Sequence, residues 1–172
     1  MRRFALALTL AAAASAAQAG EIEPREGWVV MPTEKSYDDL VSAVKEATKA
    51  EEMGVVTEAG PTEAAAGRGV TIPGNRVIGV FRNDYAVDIL NLSTAAMIEA
   101  PIRIYVTENE DGTAMISYKT PSAVFAPYAA EGGAELMQKA AQLDGIFAAI
   151  ATKAAEKPPH GQGPRRRCVA PA

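Results

Sequence analysis

The chain has 172 residues, 48% of them hydrophobic, with 21 Asp+Glu, 17 Lys+Arg, one histidine and one cysteine. Arg2, Arg3, Lys157, Arg165, Arg166 and Arg167 sit near the ends, so residues 20–156 hold 11 basic against 21 acidic side chains. A body this acidic repels phosphate backbones, which argues against nucleic acid as the main partner.

The first residues, MRRFALALTLAAAASAAQA, place Arg2 and Arg3 ahead of an apolar run from Phe4 to Leu10 and end in Ala17-Gln18-Ala19. This is the charge, apolar-core and small-residue pattern of a secretory signal peptide over residues 1–19. The apolar run falls short of the roughly 20 residues a membrane-spanning helix needs. The expectation is cleavage near Ala19 and a periplasmic or secreted mature protein, without a transmembrane segment and without a cysteine positioned for a lipid anchor. The remainder of the chain is long enough for one domain with a real core. Residues 20–32 read as a lead-in and first strand, residues 33–155 as the domain, and residues 156–172 as a basic tail. The Pro/Gly content of that tail reads as a disordered end. It contains both His160 and Cys168. One thiol cannot close a disulfide within the chain, so Cys168 is expected to be free.

A strand, "GWVVMPT", opens the domain. A helix from Ser36 to about Glu52 comes next, with Ser36 as N-cap, Asp39 completing a capping-box-like pair, and Tyr37, Leu40, Val41 and Val44 on one face. Gly54 fits the residue after its end, and "GVVTEAG" is the next strand. Thr62 to Ala66 suits one helical turn, and residues 67–75 read as loop with a turn at Pro73-Gly74. The run Val77, Ile78, Val80, Phe81 lacks alternation and suits a strand inside a sheet.

Arg82-Asn83-Asp84 then opens a helix to about Ala96, with Ala86, Ile89, Leu90 and Met97 on one stripe. The polar triplet reads first as a cap, Asn83 or Asp84 being the capping residue. Its functional alternative is a small-anion site at a strand-to-helix junction, with which the Asp84 charge would compete. "IRIYVTENEDGTAMISYKTP" is a β-hairpin around Glu110-Asp111-Gly112. A two-residue Asp-Gly loop would spoil its apolar face. A three-residue loop with Gly112 left-handed pairs Ile104 with Tyr118 and Val106 with Ile116. After a Pro-containing connection from Pro121 to Tyr128, a last helix runs from about Gly133 to Ala154. Its stripe is Leu136, Ala140, Leu143, Phe147 and Ile150. This order predicts an α+β two-layer sandwich, a mostly antiparallel sheet with helices packed on one face.

The preferred hairpin register also defines the candidate site. The face opposite Ile104 and Val106 carries Arg103 across from Lys119 and Tyr105 across from Ser117. Like charges directly across a strand pair are unfavourable unless a counter-charge separates them. A bound anion, or an acidic patch of a second subunit, would supply one.

The stretches from Thr33 to Glu58, from Asn75 to Leu90 and from Ala100 to Pro121 resemble the DUF302 family of small bacterial domains. The resemblance implies a compact α+β domain, dimeric in at least one member, that carries no established activity. Where members often show Asn-Pro after the central strand, Asn83 is followed by Asp84; where many have Pro-Cys before the hairpin, Pro101 is followed by Ile102. A thiol-based role in those relatives therefore does not transfer.

Without histidine or cysteine in the body, neither a Ser-His-Asp nor a Cys-His arrangement can form, and Cys/His metal sites fail likewise. Glu108, Glu110 and Asp111 cluster at the hairpin tip without the spacing of a calcium loop. "AGRGVTIPGN" lacks the spacing and context of a nucleotide loop. The expected function is an exported, non-catalytic binding or accessory module, without cofactor or metal. It would recognise a small ligand, an anion suiting the cation pair, or a protein partner. The alternatives are a carboxylate-dependent enzyme with a pocket between sheet and helices, and a purely structural dimerisation domain.

Overall fold

The computed structural model describes residues 22–156. The expected signal peptide and the tail beyond Glu156, with His160 and Cys168, lie outside the described residues. In chain order the elements are β1 (Trp28–Ser36), α1 (Tyr37–Ala50), β2 (Gly54–Ala59), the short α2 (Thr62–Ala66), β3 (Asn75–Phe81) and α3 (Asn83–Leu92). A 3-10 turn (Ala95–Glu99) leads to β4 (Ile102–Glu108), β5 (Thr113–Lys119), α4 (Pro121–Phe125), a second 3-10 turn (Ala126–Tyr128) and α5 (Ala129–Ala155). The strands form one sheet in the order β1-β5-β4-β3-β2, with every neighbouring pair antiparallel.

Pleating sends alternate side chains to opposite faces. On one face Ile78, Val80, Ile104, Val106, Ile116 and Tyr118 meet Leu40 and Val44 of α1 and the α5 stripe Leu136, Ala140, Leu143, Phe147 and Ile150 in a single core. All five α5 positions read from sequence are buried there. The fold is thus the α+β two-layer sandwich that the pattern predicts. Burying each of the larger side chains stabilises the fold by about 1.5–3 kcal/mol relative to exposure. Strand β3 lies inside the sheet, between β2 and β4. Its missing alternation has a local cause: Ile78 and Val80 enter the core, while Val77 is half-buried on the other face.

The hairpin takes the three-residue register: Ile104 pairs with Tyr118, Tyr105 with Ser117 and Val106 with Ile116. Asn109 N–H donates to the Thr113 carbonyl at 2.8 Å, and Gly112 sits at φ +82, where a residue with a Cβ is strained. Helix α1 starts as expected. Asp39 N–H donates to Ser36 Oγ at 3.3 Å, and that hydroxyl donates to Asp39 Oδ2 at 2.8 Å.

Several boundaries differ from the sequence pattern, each for a local reason. The left-handed residue after α1 is Glu52 (φ 56), and Gly54 instead opens β2. Helix α3 has Arg82 at its N-cap position, which corrects the assignment of that role to Asn83 or Asp84; these two are its first helical residues. It stops at Leu92 rather than Ala96, because Ser93 is extended and its Oγ accepts the Ala96 N–H at 3.1 Å, starting the 3-10 turn. Leu90, placed on the apolar stripe, is 46% exposed. The connection from Pro121 to Tyr128 is helical, with Thr120 Oγ1 accepting the Ala123 N–H as a cap. Ser122 at its start donates to Asp144 of α5 through both N–H, at 2.9 Å, and hydroxyl, tying α4 to the long helix. Helix α5 begins at Ala129, four residues earlier than read, and breaks at Gly133 (φ 61, ψ −156), where the sequence pattern had placed its start.

Candidate ligand-binding site

The sheet face opposite the helices carries a row running across all five strands: Val30, Ser117, Tyr105, Val77 and Ala59. Trp28 of β1 lies directly across from Lys119 of β5, and Arg103 of β4 directly across from Gly79 of β3. Above this row the surface is concave, enclosing about 770 Å³. Val77, Tyr105 and Ser117 line it from the sheet, Trp28 and Val124 from the β1 and α4 ends, and Gly60 and Pro61 from the loop after β2. Arg103, Lys119 and Glu99 supply its charged groups.

All four candidate residues, Arg103, Lys119, Tyr105 and Ser117, therefore share one cavity. They do not share one environment. Ser117 is 0% exposed, and among the described residues its buried Oγ has no hydrogen-bond partner. Burial first, and then the Tyr37 phenol, pushes the Tyr105 hydroxyl above the ordinary tyrosine value, so it is a neutral donor at physiological pH. The Arg103 side chain is 61% exposed, and its Nη2 lies 3.9 Å from Glu99 Oε2. Part of the counter-charge sought for the cation pair thus comes from within the chain. Lys119 instead places its ammonium 5.8 Å from the centroid of the Trp28 ring.

Sequence reasoning missed Trp28 and Glu99. Trp28 is the single tryptophan, but only the β1–β5 pairing brings it beside Lys119. Glu99 stands four residues before Arg103, a spacing that carries no signal across a turn into a strand.

The second candidate, Arg82-Asn83-Asp84, is closed on itself. Arg82 Nε donates to Asp84 Oδ1 at 2.8 Å, and the same oxygen accepts the Tyr85 N–H at 2.8 Å. Burial works to raise the Asp84 carboxyl, but the hydrogen bonds from Arg82 and Tyr85 and the Arg82 charge outweigh it and hold the carboxyl below its usual range. The Arg82 guanidinium also lies 4.5 Å from the Tyr85 ring centroid, with Lys139 5.7 Å from that ring. The arrangement serves the start of α3, because the carboxylate that would repel an anion already occupies the helix end.

At the hairpin tip, Glu108 Oε2 accepts the Gly74 N–H at 2.6 Å, and Asp111 Oδ1 accepts from Thr113 N–H at 2.9 Å and Thr113 Oγ1 at 2.6 Å. These acids shape turns. The Thr113 hydroxyl, then its N–H, lowers the Asp111 carboxyl below its ordinary value. Among the described residues, no group of three or more His, Cys, Asp or Glu could hold a metal ion, and no helix is long and apolar enough to cross a membrane.

Comparison with known proteins identifies a family. The model of a domain of unknown function, DUF302, matches residues 29–150. The solved structure described as an uncharacterized conserved DUF302 protein from Bacillus stearothermophilus superposes with a TM-score of 0.67 at 18% identity, covering 76% of this chain and 99% of that one. At that identity the likeness shows the fold. No curated protein matches.

Proposed function

The chain belongs to the DUF302 family, and from that premise we propose that it is an exported, non-catalytic module that binds a small anion in the concavity of its outer sheet face. The observation that carries this reading is the cavity on the outer sheet face, in which the half-buried Tyr105 phenol stands with the Arg103 and Lys119 cations. A ligand acceptor over the sheet would take a hydrogen bond from the Tyr105 hydroxyl, and a ligand anion would meet the cations. The surrounding Trp28, Val77 and Val124 suit an apolar body. The non-catalytic part rests on residue chemistry: residues 20–156 contain neither histidine nor cysteine, and among the described residues Glu99 is the one carboxylate lining the cavity. Carboxylate-pair hydrolysis needs two such groups, about 5–10 Å apart.

Calorimetric titration with naphthalene-2-carboxylate, a flat apolar body bearing one negative charge, tests the binding. Lys119→Ala should weaken it by about tenfold, the range expected for a hydrogen bond to a charged group. Affinity unchanged in that variant would remove the anion from the account.

Export is supported by the charge and apolar pattern of residues 1–19. Amino-terminal sequencing of protein recovered from outside the cytoplasm should begin near Gly20, and an intact Met1 in that fraction would contradict it.

A further inference from the structure

How much negative charge the cavity accepts is a question beyond small-anion binding itself, and its answer rests on that proposed binding. Among the described residues, three formally charged side chains line the cavity: Arg103, Lys119 and Glu99. Their formal sum is one positive charge. Glu99 is held from two sides. The Tyr128 hydroxyl donates to its Oε1 at 2.9 Å, and Arg103 Nη2 stands 3.9 Å from its Oε2. That hydrogen bond, with burial and the acidic charges of Glu99 and Glu131, keeps the Tyr128 phenol above its ordinary value and so a donor.

Arg103 thus already has an anion beside it. Lys119 has none within ion-pair distance among the described residues; its neighbour is the face of Trp28. The cation available to an incoming anion is therefore Lys119, and the same mostly apolar space contains a fixed carboxylate.

We infer that the cavity takes monoanions in preference to dianions, with Lys119 meeting the anionic group and Glu99 setting the limit at one negative charge. A ligand with a second carboxylate brings that charge into a partly desolvated space shared with Glu99. Lys119 is then already paired and Arg103 already stands beside Glu99, so the second carboxylate loses water without gaining a cation, which corresponds to roughly a five- to thirtyfold loss of affinity. Nothing comparable opposes the first charge, because one monoanion makes the lining electroneutral.

Naphthalene-2-carboxylate and naphthalene-2,6-dicarboxylate share one ring body and differ by one charge, so calorimetry of the purified protein with each isolates the effect. The wild-type protein should prefer the monoanion by at least about fivefold, and Glu99→Gln should shift the ratio towards the dianion by about tenfold. Circular dichroism should show the variant folded; if it is not, Glu99→Ala, which removes the same charge, should give the same shift. Equal affinity for both probes in the wild type, or a ratio that neither substitution moves, would overturn this inference while leaving the binding reading in place. No saturable heat with either probe would overturn both.

Discussion

Phe147→Ala should lower the unfolding free energy by about 3–5 kcal/mol, measured by denaturant titration against the wild type. The reason is positional. Phe147 is 0% exposed on the α5 stripe, and its ring centroid lies 5.6 Å from that of Tyr118, on the core face of β5. Truncation removes apolar burial and the aromatic pair together, and leaves a hole between helix and sheet that Leu143 and Ile150, each fixed in its own packing, cannot fill. Marginal domain stability means such a loss can leave the protein largely unfolded at 37 °C. A loss below about 1 kcal/mol would mean that α5 does not dock as described.

The second large effect comes from adding one methyl group. A Cβ at Gly60 would stand 2.2 Å from the Asn75 carbonyl oxygen and 3.3 Å from its carbon, and both belong to the backbone that opens β3. Neither can rotate away, so the chain must move. Gly60→Ala should cost about 1–3 kcal/mol, in the range of overpacked sites. Because Gly60 and Pro61 line one end of the cavity, the same shift should also change ligand affinity. Gly145 supplies the contrast: on α5, nothing lies within 4 Å of its Cβ position. There the alanine should stabilise by about 0.5–1 kcal/mol through helix propensity alone. Thermal unfolding of the two variants should therefore move in opposite directions, and a neutral Gly60→Ala would contradict the tight approach of the loop after β2 to the start of β3.

The fold was legible wherever a period was complete. The α5 stripe, the capped start of α1 and the hairpin register each rest on short-range rules, and each is found as read. Helix boundaries were less legible, because side chains distant in sequence decide them. Ser93, whose hydroxyl donates to Glu131 at 2.6 Å, ends α3 early, and Asp144 anchors a helix where the prolines read only as a connection.

The same division applies to the site. Register alone put Tyr105 across from Ser117 and Arg103 near Lys119, since one hairpin contains all four. Trp28 and Glu99 come from β1 and the 3-10 turn, whose places beside the hairpin depend on strand order. The burial of the Ser117 hydroxyl was likewise invisible from sequence. A serine in an alternating strand reads as solvent-facing, and only the five-strand row shows it enclosed.

Tyr105→Phe, with calorimetry and thermal unfolding on the same preparation, tests most directly whether the outer face is a recognition site. The free protein should keep its stability, because the Tyr105 hydroxyl makes no hydrogen bond among the described residues. Binding of naphthalene-2-carboxylate, expected with a Kd of about 1 mM or tighter from its size, should weaken roughly fivefold. Clear destabilisation without any change in affinity, or no saturable binding to the wild-type protein, would contradict the account.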